Sequence, residues 1–286
     1  MGLLRIKTME PTRPSQDWMT QAEEDGRFRF GWNWRRFVEK VGVEHIRKAE
    51  DALAWWFPGG GLAGRSFLDA GSGSGLSSLA AVRLGAARVH SFDFDPESVA
   101  STSALRARFS PDASGWTIEQ GSLLDEAYLR SLGQWDVVYS WGVVHHTGAM
   151  WGALDRLSGL VSENGKVLVA VYNDQGLPSR LWWRVKRLYN SGYLGRVVVL
   201  ALGLPGLAVG GVFHDLARGR SPVVRYRAQE RGMTALTDWI DWLGGYPFEF
   251  AKPDAVTRFF GERGLQLERD RTVGNKLGCN EFLFRK

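Results

Sequence analysis

Three glycines and an aspartate form the arrangement with the clearest chemical meaning in this chain. Gly71, Gly73 and Gly75 alternate with serines directly after the apolar segment that ends at Asp69. Glycine lacks a Cβ atom, so this spacing permits unusual backbone dihedrals and lets a ligand lie directly on the main chain. Asp93 ends the next apolar segment, where an acid binds ribose hydroxyls in doubly wound folds. The pattern predicts a site for an adenosine-containing ligand.

The elements that position these residues are a strand, a turn and a helix. The apolar run before Asp69 predicts a buried parallel strand, and residues 76–82 predict a helix, so the glycines form the turn between them. Such a turn presents unpaired N–H groups at the helix N-terminus. A lone glycine turn is more often an ordinary loop. The order of strand, glycine turn, helix, strand and terminal acid argues against that interpretation.

The glycine spacing also narrows the ligand. The chain has Gly-x-Gly-x-Gly, whereas the dinucleotide fingerprint is Gly-x-Gly-x-x-Gly with a third glycine for helix packing. This difference disfavours NAD and FAD and leaves a nicotinamide oxidoreductase as a remote alternative.

Four segments resemble motifs of the class I S-adenosylmethionine-dependent methyltransferases, small-molecule type. Residues 68–75 (LDAGSGSG) look like the first motif, and Asp93 falls at the ribose-binding acid. Residues 118–125 resemble the segment that meets the adenine ring, although the family often has Asp where this chain has Ser122. Residues 135–146 resemble the fourth-strand motif with its paired histidines.

The resemblance spans roughly residues 33–172. It implies S-adenosylmethionine as cofactor and S-adenosylhomocysteine as product. It also implies these cofactor-binding residues: Asp69, Gly71, Ser72, Gly73, Gly75, Asp93, Phe94, Ser122, Leu123 and Ser140. To them we add Trp34 of the cap, which we expect to close over the donor.

The alternation of predicted strands and helices indicates an α/β fold. We expect a Rossmann-like, seven-stranded, mostly parallel sheet with an N-terminal cap and a helical lid inserted after the fifth strand. The predicted divisions are a tail and cap (1–57), the cofactor-binding core (58–176), the lid or acceptor insertion (177–252), and the last helix with a terminal hairpin (253–286).

Two adjacent histidines follow the fourth strand at its carboxyl end. A hydroxyl acceptor needs a base, and histidine titrates near neutral pH. We expect His146 to be the base or acceptor-orienting group, with His145 second. The competing interpretation for each is a backbone hydrogen bond that holds the loop.

Other residues are candidates for the acceptor pocket. Tyr172 and Asn173 end the fifth strand, Trp242 and Tyr246 lie near the end of the insertion, and Asn275 lies in the last hairpin. A polar strand end or a helix stop explains these residues almost as well.

The basic excess is confined to one segment. Residues 180–231 contain ten basic and two acidic residues, a net charge of +8, whereas the rest of the chain has −3. This local charge argues against nucleic-acid binding. Within the segment, residues 197–213 are apolar but contain glycines and a proline, which argues against a membrane-spanning helix. The segment is therefore either a lid over the acceptor or, through residues 181–213, a peripheral membrane contact.

Composition restricts the class of protein further. A chain of 286 residues with 44% hydrophobic content predicts one main α/β core. Cys279 is the only cysteine, which excludes an intrachain disulfide and suits a reducing cytoplasm, and we expect it to be a small buried hydrophobe. Residues 1–26 lack a secretion signal, and the five histidines lack metal-ligand spacing, so we expect no metal.

These observations predict methyl transfer from S-adenosylmethionine to an oxygen of a hydrophobic or sugar-like small molecule. Two alternatives remain: methylation of a peptide or protein side chain, and a noncatalytic cofactor-binding partner at the membrane. The sequence leaves the oligomeric state open.

Overall fold

The computed structural model describes residues 28–219, 221 and 235–286. The remaining parts of the predicted tail and of the basic segment lie outside the described residues. The strands are β1 (Ser66–Ala70), β2 (Arg88–Asp93), β3 (Trp116–Gln120), β4 (Trp135–Trp141), β5 (Val161–Tyr172), β6 (Gln266–Arg271) and β7 (Cys279–Arg285). The described helices are α1 (Gly31–Lys40), α2 (Val43–Trp56), α3 (Leu76–Arg83), α4 (Pro96–Phe109), α5 (Glu126–Leu132), α6 (Met150–Gly159), α7 (Leu177–Tyr189), α8 (Tyr193–Leu216), α9 (Ala235–Gly244) and α10 (Pro253–Gly261).

The strands form one seven-stranded sheet in the order β3-β2-β1-β4-β5-β7-β6. β1 to β5 are parallel, and β7 is antiparallel to both β5 and β6. The predicted Rossmann-like, mostly parallel sheet is confirmed. Because parallel strands end at the same edge, the carboxyl ends of β1, β2, β4 and β5 lie close together.

Local signals account for several helix starts. Asp95 accepts a hydrogen bond from the backbone N–H of Glu97 and is followed by Pro96, so α4 begins where the Asp-Pro pair predicts it. Asp125 caps α5 in the same way by accepting from Tyr128 N. The two faces of the sheet then bury separate apolar clusters, one under α1 to α4 and the other under α5, α6 and α10.

The cap is joined to the core beside the glycine turn. The backbone N–H of Gly31, the first residue of α1, donates to Asp95 Oδ2 at 2.9 Å. Arg35 lies 3.5 Å from Glu97 in the first turn of α4. Asp95 therefore ties α1 to the helix that follows β2.

The insertion differs from expectation in its long helix. α8 runs without interruption through Pro205 and the glycines, because apolar packing of one face stabilises a helix that propensity alone disfavours. With a mean hydropathy of 2.0, α8 has the length and composition of a membrane span, although a single such helix is weak support for one. Only 6% of the most apolar 18-residue stretch of α8 is buried. This helix therefore covers little of the core as a lid.

Candidate functional site

In the glycine turn between β1 and α3, a side chain would clash at Gly71 and be crowded at Gly73. Gly71 has φ +88°, and a Cβ there would lie 2.4 Å from Val143 Cγ1. Gly73 has φ +54°, and its Cβ would lie 3.0 Å from Trp34 Nε1 in the cap. The N–H groups of Gly71 and Ser72 both donate to the Phe92 carbonyl, which joins the turn to β2. Glycine is required here for conformation and for space.

Asp93 connects the end of β2 to the glycine turn. Its Oδ2 accepts from Gly73 N and its Oδ1 accepts from Asp95 N, both at 2.9 Å. Burial raises the pKa of Asp93 to about 7, despite these two hydrogen bonds. The carboxyl group is positioned beside the glycine backbone, where the motif places a ribose.

Asp69 lies beneath the turn in a buried hydrogen-bond chain. Ser78 Oγ donates to Asp69 Oδ2, contacts Ser91 Oγ at 2.6 Å, and Trp116 Nε1 donates to Ser91 Oγ at 2.7 Å. Burial raises the pKa of Asp69 to about 7. Two carboxyl groups with elevated pKa values therefore lie at this end of the site, and a positively charged ligand would favour their ionised forms.

The paired histidines occupy a 3-10 turn, Val144–His146, after β4. Nδ1 of His146 donates to the Pro247 carbonyl at 2.7 Å, which leaves Nε2 as the nitrogen with the lone pair. Burial, helped by the charge of Lys186, lowers the pKa of His146 to about 3. His146 is therefore a neutral imidazole with its hydrogen-bonded tautomer set by Pro247.

His145 differs from its neighbour because it is fully buried. Neither of its ring nitrogens has a hydrogen-bond partner among the described residues. Burial lowers its pKa well below the ordinary value, electrostatic interactions with His146 and Lys186 lower it further, and the Ala170 backbone opposes the shift. Buried polar groups in folded proteins usually have hydrogen-bond partners, so these two nitrogens make His145 a candidate site residue.

Lys186 of α7 is a functional candidate that sequence reasoning missed. It is buried, donates to the Trp242 carbonyl, and its ammonium lies 4.6 Å from the Trp242 ring and 4.8 Å from the Phe248 ring. No sequence signal separates it from the neighbouring Arg187, because only tertiary packing buries one of them.

Aromatic side chains surround the histidines. The Tyr172 ring lies 4.0 Å from His145 and 5.8 Å from Trp242, and Phe30 of the cap lies 4.8 Å from His146. This aromatic cluster forms an apolar wall beside two neutral imidazoles.

A single cavity of about 680 Å³ joins the glycine turn to the histidine turn. It contains most of the predicted site residues: Trp34, Asp69, Gly71, Ser72, Gly73, Asp93, Phe94, His145, His146, Tyr172, Trp242 and Tyr246. The volume lies within the range of pockets that hold small-molecule ligands.

Sequence reasoning did not select several other lining residues. Tyr139 and Trp141 point from β4, Phe28 and Phe30 from the segment before α1, and Leu207 from α8. Cys279 also lines the cavity and is half-buried, so the expectation of a buried small hydrophobe holds only in part. For Tyr139 and Trp141 the sequence offers one signal, because alternation along a strand places both side chains on the same face of β4.

Four predicted cofactor residues lie outside the lining. Gly75 is the N-cap residue of α3 with φ +77°, and a Cβ there would meet Thr102. Ser140 is buried and donates to the Ala70 carbonyl at 2.9 Å. Ser122 accepts from Leu124 N, and Leu123 packs in the core. Their positions support roles in shaping the turn and core, and direct ligand contact stays a prediction.

Two predicted acceptor residues are also outside the lining. Asn173 donates to the carbonyls of Gly274 and Lys276 and accepts from Asn280, which ties β5 to the hairpin before β7. Asn275 is exposed. The side-chain amide of Asn173, which the sequence analysis assigned to acceptor binding, is therefore hydrogen-bonded to the hairpin. Among the described residues, no group of three or more His, Cys, Asp or Glu side chains is arranged to hold a metal.

The core matches a known protein family over part of its length. Residues 68–167, about a third of the chain, match the family model described as "Methyltransferase domain". Ribosomal protein L11 methyltransferase of Halorhodospira halophila is 40% identical over 67 residues, which cover 23% of each chain. The same enzyme of Methylococcus capsulatus is 49% identical over 47 residues, 16% of each chain. The chain thus spans less than a quarter of the length of these curated relatives.

The fold is similar to solved structures across nearly the whole chain. Magnesium protoporphyrin IX methyltransferase from Synechocystis PCC 6803, solved with bound S-adenosylmethionine, has a TM-score of 0.53 at 14% identity, covering 96% of this chain and all of that one. Its structure with bound S-adenosylhomocysteine has a TM-score of 0.50 at 16% identity, covering 94% of this chain and 93% of that one. At such identity the likeness establishes the fold alone. Residues 68–167 therefore match a methyltransferase domain, and the chain has the fold of solved methyltransferases.

Proposed function

We propose that this protein transfers a methyl group from S-adenosylmethionine to an oxygen of a hydrophobic or sugar-like small molecule. The observation that carries the proposal is the continuity of the cavity. Gly71, Gly73 and Asp93 lie at one end, and His145 and His146 lie at the other. A donor site and an acceptor site would therefore share one volume, as direct transfer between two bound molecules requires.

The donor end fits S-adenosylmethionine. Gly71 and Gly73 expose backbone where any Cβ would be crowded, and Asp93 offers a carboxylate for the ribose hydroxyls. The raised pKa values of Asp69 and Asp93 suit a cationic ligand, whose charge would favour their ionisation. When bound, the cofactor supplies a methyl group already activated on a sulfonium. The protein then has to position the acceptor and exclude water.

The acceptor end offers groups for a hydroxyl. Because Nδ1 of His146 donates to Pro247, its Nε2 lone pair can accept the hydroxyl proton as the new carbon–oxygen bond forms. With a pKa of about 3 it is a weak base, so orienting the hydroxyl is the larger part of its role. His145 lines the same end of the cavity and is the second candidate for contact with the acceptor.

The walls favour a hydrophobic acceptor. Tyr172, Trp242 and Phe30 present aromatic faces, and Leu207 of α8 adds an aliphatic contact. Aromatic faces also accommodate sugar rings, so the sugar-like class stays within the proposal.

Methylation of a peptide or protein side chain is the second candidate. The local similarity to ribosomal protein L11 methyltransferases favours it. Against it, the cap and the lid both contribute walls to the cavity, which leaves less room for a macromolecular substrate.

One labelling experiment separates the candidates. Purified protein and host extract would be incubated with methyl-labelled S-adenosylmethionine, and the label would be followed into organic-soluble, small aqueous and macromolecular fractions. Label in either small-molecule fraction, absent with His146→Ala, supports the proposal. Label in the macromolecular fraction supports protein methylation. Donor binding without any transfer would contradict enzymatic activity and favour a noncatalytic cofactor-binding partner.

A further inference from the structure

The exposed side of the α7–α8 hairpin is a continuous apolar and cationic surface, which we call the hairpin surface. On α8, Tyr193, Leu194 and Leu202 are 78%, 79% and 73% exposed. The other exposed large apolar side chains of the hairpin are Leu177, Leu181, Leu188, Val197, Val198, Val209, Phe213 and Leu216. Single exposed apolar residues are ordinary, but a contiguous set of this extent marks an interaction surface.

The opposite side of α8 is packed against protein. Val199, Leu200 and Leu204 belong to a cluster with Tyr189 of α7 and Leu243 of α9. The approach is close, since a Cβ on Gly203 would lie 2.9 Å from the Leu243 side chain. These contacts with α7 and α9 cover one side of α8, so a membrane touching the hairpin surface would meet the opposite side of the helix.

The charges on the hairpin have one sign. From residue 177 to 219 the basic residues are Arg180, Arg184, Lys186, Arg187, Arg196 and Arg218. The one acid in that range, Asp215, is buried. Arg180 and Arg184 are exposed and, with Trp183 and Phe250, line a cleft of about 320 Å³. Arginine and tryptophan beside an apolar stripe are typical of helices that bind anionic lipid surfaces.

The apolar stripe fits lipid better than a protein partner. Residues 197–213 contain no polar side chain, so this part of α8 offers no side-chain hydrogen bond to a partner. Protein interfaces ordinarily combine an apolar centre with a polar rim and about one hydrogen bond per 100–200 Å². Acyl chains require no such bonds.

We propose that the hairpin surface docks in the plane of an anionic lipid bilayer. The α8 stripe enters the acyl boundary, and the arginines of α7 bind phosphate headgroups. Leu207 of the same helix lines the cavity, so docking brings the acceptor end close to the lipid. That consequence rests on the function proposed above, whereas docking itself does not.

Vesicle sedimentation tests docking without any methyl transfer. The full chain would be mixed with phosphatidylcholine vesicles with or without phosphatidylglycerol, at low and high salt. The variants are Leu194→Glu/Leu202→Glu and Arg180→Gln/Arg184→Gln. Val43→Glu is the matched control, because Val43 and Leu202 are both 73% exposed and Val43 lies in the first turn of α2, where an acid is tolerated. Circular dichroism confirms that each variant is folded.

We expect the wild type and Val43→Glu to pellet with anionic vesicles at low salt, less at high salt, and to be released by a carbonate wash. The apolar double variant should bind at least about tenfold more weakly, since two carboxylates replace exposed leucines that would enter the acyl boundary. The arginine variant should lose the preference for phosphatidylglycerol. Absence of wild-type pelleting at low salt would overturn the proposal. So would resistance to carbonate, which indicates spanning, or self-association without lipid that Leu194→Glu/Leu202→Glu abolishes, which indicates a second copy on this face.

Discussion

At the scale of single residues, the two histidines have different chemical roles although they are adjacent. His146 has one nitrogen committed to Pro247 and one available, whereas His145 is buried with neither nitrogen used. The sequence identified both histidines as candidates for the base. It offered no physical reason for placing His146 before His145. The tautomer of His146 depends on a carbonyl that lies 101 positions away in the chain.

Replacement of His146 by Ala is expected to lower kcat by about 10²–10⁴, the range for a side chain that orients the acceptor and helps to take its proton. Affinity for S-adenosylhomocysteine should stay within about twofold, because the donor end does not use this side chain. Steady-state kinetics and isothermal titration calorimetry measure the two quantities. His214→Ala on α8, with a half-exposed side chain, is the control and should leave both unchanged. Wild-type turnover in His146→Ala would contradict the assigned role.

At the scale of elements, the glycine turn is determined by its two neighbours, β4 and the cap. The positive φ at Gly71 follows from the turn itself, but the crowding comes from Val143 after β4. At Gly73 it comes from Trp34 in α1. Gly71 and Gly73 are therefore each needed for two reasons: the backbone has a positive φ, and a neighbouring side chain occupies the space of a Cβ.

Gly71→Ala should lower stability and cofactor affinity together. The added Cβ meets Val143 at 2.4 Å, so the turn has to shift, in addition to the cost of about 1 kcal/mol for alanine at positive φ. Gly60→Ala is the matched control, because Gly60 has φ +74° and no atom within 4 Å of the added Cβ. Thermal denaturation with and without S-adenosylhomocysteine reports both effects. Equal losses of thermal stability in Gly71→Ala and Gly60→Ala would show that crowding at Gly71 is unimportant.

Asp95 has two functions in the connection between cap and core. Asp95→Ala removes the N-cap of α4 and the bond to Gly31, whereas Asp125→Ala removes only an N-cap of α5. Both should lose about 1 kcal/mol from the missing cap. Only Asp95→Ala should also weaken S-adenosylhomocysteine binding, since α1 carries Trp34 over the turn. Chemical denaturation and calorimetry would compare them, and unchanged affinity in Asp95→Ala would contradict a cap role in binding.

At the scale of the whole molecule, buried carboxyl groups connect the site to stability. The pKa of Asp69 rises from 3.8 to about 7 on folding because burial disfavours its charge. A group with a raised pKa stabilises the fold at low pH, and this contribution is lost as the pH rises through about 7. The ligand-free protein therefore loses stability on account of Asp69 between about pH 4 and 8.

Asp69→Asn should remove that pH dependence. The free energy of unfolding of the variant minus that of the wild type should rise between pH 5 and 8, by at most about 3 kcal/mol at 1.36 kcal/mol per pKa unit. Asp136→Asn is the control, because hydrogen bonds with Ser66 lower the pKa of Asp136 and its contribution is lost only at acid pH. The free energy of unfolding of Asp136→Asn should differ from that of the wild type by a constant amount between pH 5 and 8. A constant difference for Asp69→Asn as well would mean that Asp69 ionises as in solution.

The sequence alone determined the parts of this protein that depend on neighbouring residues. The glycine turn, the Asp95 and Asp125 caps, and the strand and helix order follow from local dihedral preferences, capping and periodicity, which act within a few positions. The resemblance at residues 68–75 agrees with the methyltransferase-domain match over residues 68–167, because the turn, the helix and the acid of β2 are close along the chain.

Only the tertiary structure decided which side chains meet in the cavity. Pro247 of the insertion binds His146, Lys186 and Trp242 of the insertion pack together beside Tyr172, and Asn173 turns away to hold the hairpin. The same packing keeps α8 helical through Pro205 and leaves its other side exposed. Contacts between segments many positions apart depend on how whole elements pack, and residue types along the chain carry no local signal for that packing.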